Sequence, residues 1–174
     1  MSAWFMLTLV GKDQPGIVAQ VTSTLYKGGC NLGEASMTRL GGNFTIMLMT
    51  RYEGTAQALE QAVAPARDAL NLRLHVDRIE GELHHHVEPN VRISVYGADR
   101  AGIVAEATGA LAEAGLNILN LESDVGGTPE NPIYIMNIEG VAAKGVEALQ
   151  TSLERLASEK NVETQLTPID ILMG

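Results

Sequence analysis

The chain is written twice, and that repeat constrains its fold more than any other feature. Gly11-Lys12-Asp13-Gln14-Pro15-Gly16-Ile17-Val18-Ala19 returns as Gly97-Ala98-Asp99-Arg100-Ala101-Gly102-Ile103-Val104-Ala105 without a gap. Thr22, Leu25, Gly29 and Asn31 recur as Thr108, Leu111, Gly115 and Asn117, each 86 positions on. Solenoid repeats have periods of about 20 to 50 residues, so a unit of this length is a whole domain. The 174 residues therefore divide into two domains of one fold.

Within the first copy, Phe5, Leu7 and Leu9 alternate with Trp4, Met6 and Thr8, which is strand periodicity. Gly11 opens a turn, and Ile17, Val21 and Leu25 then fall at helical spacing. Pro15 and Gly16 stand where the helix begins, with Asp13 upstream as a candidate cap, and Gly28-Gly29 ends it. Ala35, Met37 and Leu40 mark a second strand, and Gly41-Gly42-Asn43 turns the chain into a third from Phe44 to Thr50. Leu59, Ala62, Val63, Ala66 and Leu70 return to helical spacing behind Thr55, a candidate cap. Pro65 within that pattern predicts a kink or two short helices. Leu72, Leu74 and Val76 alternate with Arg73, His75 and Asp77, a closing strand with one wet face.

The order is βαββαβ, the ferredoxin-like arrangement, so the fold class is α+β with two tandem units built on antiparallel sheets. The first domain is expected over residues 1–82, a linker over 83–89 and the second domain over 90–174. The second copy runs from a strand at Val91 to Tyr96 through a helix near Gly102 to Ala114 and a strand near Asn117 to Asp124. There it departs from the first. Gly126-Gly127-Thr128-Pro129-Glu130-Asn131-Pro132 replaces the tight glycine turn and reads as a longer functional or interface loop. Val146, Leu149, Leu153 and Leu156 form an amphipathic helix, Val162 to Ile169 a closing strand, and the apolar tail to Met173 a docking segment.

Both copies place apolar side chains on both faces of a central strand. Phe44, Ile46 and Leu48 alternate with Met47 and Met49, and Tyr134, Met136 and Ile138 with Ile133 and Ile135. A sheet with helices on one side leaves its other face wet, so a face bearing Met47, Met49, Tyr134, Met136 and Ile138 is expected to be covered by another domain or subunit. A homo-oligomer is the corresponding expectation.

The formal net charge is -9, which repels nucleic-acid phosphate and acidic membranes, so direct nucleic-acid or membrane binding is disfavoured. An RNA-binding sheet of this topology needs exposed aromatic residues, and those are only 4% of the chain. The single cysteine, Cys30, reads as a small buried apolar residue and fits a reducing compartment. With no basic-then-apolar leader and no apolar run of about 20 residues, a cytoplasmic location is expected.

No catalytic constellation is present: the serines lack a histidine in register, and the turn lacks the Lys-Ser/Thr of a phosphate loop. His84, His85 and His86 are adjacent, so in extended chain they point to opposite sides, and no further ligand completes a metal sphere. Neither an enzyme, a metal nor a cofactor is expected. The turn before each first helix does offer a binding site. Amide N–H groups at a helix N-terminus suit a carboxylate, and Asp13 or Asp99 can accept an ammonium group, a polarity that fits a zwitterionic amino acid. The competing reading, equally open, is that Asp13 and Asp99 only cap their helices.

Asp-x-x-Gly-Ile-Val after the first strand and Gly-x-Asn-Leu/Ile after the first helix, in two tandem βαββαβ halves, resemble ACT domains, the amino-acid-sensing modules of many metabolic regulators. A stand-alone pair of this length is similar to the glycine cleavage system transcriptional repressor family, which acts through a DNA-binding activator protein. The resemblance implies an amino-acid ligand, a protein partner such as a transcription activator, and sites at Asp13, Gly16, Ile17, Asn31 and Leu32 with Asp99, Gly102, Ile103, Asn117 and Ile118. Such domains often hold ligand across a pair. Ala101 stands where the first copy has Pro15, which sets the two sites apart. Two alternatives stay open: a protein-interaction module with vestigial sites, and a regulatory segment related to formyltetrahydrofolate deformylase.

Overall fold

The computed structural model describes residues 2–80, 87–98 and 101–169. It separates into two compact units, one from each copy of the repeat. The first contains β1 (Ala3–Lys12), α1 (Ile17–Lys27), β2 (Asn31–Leu40), β3 (Asn43–Tyr52), α2 (Ala56–Ala69) and β4 (Arg73–Arg78). The second contains β5 (Val91–Ala98), α3 (Ile103–Glu113), β6 (Leu116–Thr128), β7 (Asn131–Ala142), α4 (Val146–Lys160) and β8 (Glu163–Pro168). The sheets run β2-β3-β1-β4 and β6-β7-β5-β8, antiparallel throughout. Each unit is thus the expected βαββαβ sheet with its own helices.

The core of each unit lies between one sheet face and its two helices. Phe5, Leu7 and Leu9 of β1 meet Ile17, Val21 and Leu25 of α1 and Leu59, Val63 and Ala66 of α2 in one cluster of buried side chains. Val91, Ile93 and Val95 play the same part against Ile103, Ala107 and Leu111 of α3 and Leu149, Leu153 and Leu156 of α4. Complete burial of an aliphatic side chain stabilises by about 1.5–3 kcal/mol, so these strand and helix stripes carry most of each unit's cohesion. The repeat is faithful in space: Gly11 lies opposite Phe44 and Gly97 opposite Tyr134. Leu72 and Val162, each leading into its unit's last strand, lie against these two glycines.

Local chemistry explains the helix ends. At the end of α1 the Cys30 amide donates to the Leu25 carbonyl (3.0 Å) and the Gly29 amide to that of Tyr26 (3.0 Å), the paired bonds of a Schellman motif. Leu25 and Cys30 are both buried there, and burial pushes the Cys30 thiol pKa up. Thr55 caps α2 by accepting from the Ala58 amide at 3.2 Å, as its position predicts.

Three expectations are corrected. Pro65 does not divide α2, which runs unbroken from Ala56 to Ala69. The proline lies on the exposed side, where water can satisfy the carbonyl that loses its helical partner. The segment 126–132 is not a loop: Gly126, Gly127 and Thr128 pair with Ile133, Pro132 and Asn131, leaving Pro129-Glu130 as the turn. Glycine is required at 127, since it has φ +84° and a Cβ there would sit 2.4 Å from the Asn131 carbonyl oxygen. Among the described residues the pairing of β7 with β5 stops at Ile133, one residue short of Pro132.

The third correction concerns the outer face. Met136 and Ile138 are fully buried in the core of their unit, with Tyr134 packed against it. They share a face with Val95 and Ile93, their partners across the ladder, whereas Ile133 and Ile135 point the other way. The outer faces therefore carry Met47 and Met49 in one unit and Ile133 and Ile135 in the other. Met49 is only 9% exposed, because the Trp4 ring lies over Gly33 beside it, while Met47 is 46% exposed. Among the described residues, no helix is long and apolar enough to cross a membrane. His84, His85, His86 and most of the apolar tail lie outside the described residues.

Candidate ligand site at the first helix of each unit

The turn between β1 and α1 is tied down from two sides. The Asp13 amide donates to the Gly42 carbonyl at 3.0 Å, fixing it to the β2–β3 hairpin, and the Gln14 side-chain amide donates to the Leu70 carbonyl at 3.2 Å, fixing it to the end of α2. Gly16 then adopts φ 86°, ψ 0°, a left-handed conformation that side-chain-bearing residues pay about 1–2 kcal/mol to enter. Gly102 repeats it with φ 88°. This twist drives Ile17 and Ile103 straight into their cores, at 2% and 3% exposure. Among the described residues no side chain caps either helix. The amides of each first turn, which have no partner within a helix, are left facing the turn.

Asp13 is thus not the helix cap. Its carboxylate instead pairs with the Arg39 guanidinium at 2.5 Å, the aspartate being 24% exposed and the arginine 67%. The reason lies in the ladder: Gly11, Phe44 and Arg39 stand abreast on β1, β3 and β2, so the arginine comes from the edge strand to the side of the turn. Asp13, Gln14, Gly16, Ile17, Val18, Ala19, Met37 and Phe44 line an open pocket of about 320 Å³ here. Its lining is largely apolar, with the start of α1 and Asp13, itself paired with Arg39, among the residues around it. That combination can hold an anion at the helix end and a cation at the carboxylate.

The structure brings Asp13, Gly16 and Ile17 together and sets Asn31 and Leu32 apart from them. The latter two begin β2, after α1, whose eleven residues span about 16 Å. Asn31 is exposed opposite Arg51, and Leu32 lies opposite Thr50, whose buried hydroxyl has no hydrogen-bond partner among the described residues. Asn31 shares a second opening of about 330 Å³ with Ser2, Gly29, Arg51, Tyr52 and Glu53. In the second unit Gly102 and Ile103 hold the turn, while Asn117 and Ile118 lie at the far end of α3 opposite Val141 and Gly140. Asp99 lies outside the described residues. A larger opening of about 550 Å³, lined by Tyr96, Ile133, Ile135 and Glu163, lies on the outer face of the second sheet, away from the first-turn amides. Size alone does not select a site.

Arg39 is the residue that sequence reasoning missed. The signal was present, since a two-residue turn at Gly41-Gly42 fixes Leu40 opposite Asn43 and therefore Arg39 opposite Phe44. Among the described residues no group of His, Cys, Asp and Glu side chains is arranged to hold a metal ion.

Residues 4–77 and residues 91–158 each match the ACT domain family. The chain belongs to that family, as a tandem pair. It is 26% identical over 121 residues to the glycine cleavage system transcriptional repressor of Escherichia coli (strain K12), an alignment covering 69% of this chain and 64% of that protein. The chain thus spans somewhat less than two thirds of that relative's length. A UPF0237 protein of Lactococcus lactis is 35% identical over 72 residues, 41% of this chain and 83% of that one. Among solved structures, an unknown protein from Galdieria sulphuraria matches with a TM-score of 0.80 at 22% identity, covering 98% of this chain and 100% of its own. A structure assigned to the glycine cleavage system repressor group matches with a TM-score of 0.73 at 18% identity over 98% of this chain and 99% of its own. At those identities the two structures bear on the fold alone.

Proposed function

We propose that this tandem ACT protein is an amino-acid-responsive regulator that acts through a protein partner. The observation that carries the reading is the uncapped N-terminus of α1 beside the Asp13 carboxylate. A ligand carboxylate set against the first-turn amides gains from the helix dipole, and its ammonium group meets Asp13. The similarity to a glycine cleavage system repressor makes glycine the first ligand to try. The net charge of -9 favours control of transcription or metabolism through a partner such as a DNA-binding activator over direct contact with DNA.

Asn31 and Leu32 enter the same reading through a second copy. Strand β2 is an edge strand, exposed along its whole length. Antiparallel pairing of two such edges sets the Asn31 end of one copy beside the Arg39 end, and hence the Asp13 turn, of the other. A homo-oligomer of this kind completes a site that a single unit leaves divided.

The test is Asp13→Asn. Losing one charge-assisted contact removes about 1.5–3 kcal/mol, so glycine binding by calorimetry is expected to weaken roughly tenfold to a hundredfold. The Asp13–Arg39 pair is solvent-exposed on the arginine side and contributes at most about 1 kcal/mol, so melting shifts by only a few degrees. Unchanged affinity in the variant would contradict the reading. Absence of any amino-acid binding to the wild-type chain would leave the protein-interaction module in its place.

A further inference from the structure

The two units are alike in backbone and unlike at one place on the site's rim. In the first, Gly11, Phe44 and Arg39 stand abreast across β1, β3 and β2. In the second, Gly97, Tyr134 and Val125 stand abreast across β5, β7 and β6. Val125 therefore occupies the position of Arg39, and at 52% exposure it presents an apolar side chain to solvent where the first unit presents a guanidinium. One ladder step further in, Met37 lies opposite Ile46, and its counterpart Ser123 lies opposite Met136. The pocket floor is changed as well as its rim.

We infer that Arg39 is the residue that selects the ligand's carboxylate at the first unit. This rests on the amino-acid reading above and adds what discriminates there. A guanidinium carries five N–H donors in a planar fork, so Arg39 can keep Asp13 on one edge and take a ligand carboxylate on another. A zwitterionic head group then finds both charges answered: ammonium on Asp13, carboxylate between Arg39 and the amides at the start of α1. In the second unit Val125, at the position of Arg39, offers no donor, although Gly102 holds the same left-handed conformation as Gly16.

The experiment is calorimetric titration of the full chain and of Arg39→Val with glycine and with glycinamide, which keeps the ammonium and lacks the carboxylate. Valine suits an exposed edge strand, and the melting temperature of the variant serves as the check on folding. The expected result is at least tenfold weaker glycine binding in Arg39→Val and a preference for glycine over glycinamide that collapses in the variant. A variant that retains both affinity and preference overturns the inference and leaves the amino-acid reading standing. A wild-type chain that takes up no glycine overturns both.

Discussion

At the scale of single residues, polar side chains near helix starts do different work in places that look alike. Thr55 and Asp13 both precede an apolar helical row, yet Thr55 caps α2 while Asp13 turns to Arg39. The difference is Gly16, whose left-handed backbone becomes the N-cap residue and removes Asp13 from capping range. Thr55→Ala deletes a real cap and is expected to destabilise by about 1 kcal/mol, a fall of roughly 4–8 °C in melting temperature for a domain of this size. Thermal denaturation followed by circular dichroism checks it, and an unchanged melting temperature would show that the Ala58 amide finds another partner. Asp13 was legible as functional chemistry but not as half of an ion pair, because its partner is separated from it by a helix and most of a strand. Only the hairpin register at Gly41-Gly42 connects them.

At the scale of elements, periodicity identified the four helices and eight strands of the described residues, since apolar stripes such as Ile17, Val21 and Leu25 or Phe5, Leu7 and Leu9 are dictated by burial. Two kinds of information were not local. Glycine and proline at 126–132 read as a loop because their composition is that of loops, yet Gly127 is there to let β6 pass close to Asn131 and continue pairing. Which face of β7 is inward could not be told from Tyr134, Met136 and Ile138 alone, since both of its faces carry apolar residues. Alignment with Val95 and Ile93 of β5 decides it. Pro65 gives the corresponding test in a helix. Its ring lacks the amide that would meet Gln61, and α2 stays continuous regardless. Pro65→Ala is expected to restore that bond and stabilise the chain by about 1–2 kcal/mol, read from the urea midpoint at unchanged slope. A destabilised variant would mean that the proline's restriction of the unfolded chain outweighs the missing bond.

At the scale of the whole molecule, the 86-residue repeat announced two units of one fold, and the structure holds Gly11 and Gly97, Gly16 and Gly102 at like positions in both. The same offset takes Arg39 to Val125, but only the strand pairing shows that this difference lies beside the turn. Duplication preserves the residues that burial and left-handed backbone require, and leaves exposed edge positions free to diverge. Acidic charge over the chain is consistent with a regulator that works through another protein. If a free amino acid is the signal, as proposed, titration calorimetry of the full chain against a panel of amino acids that includes glycine gives saturable binding of at least one of them at or below millimolar concentration. No saturable heat from any member of the panel at that concentration would contradict that proposal.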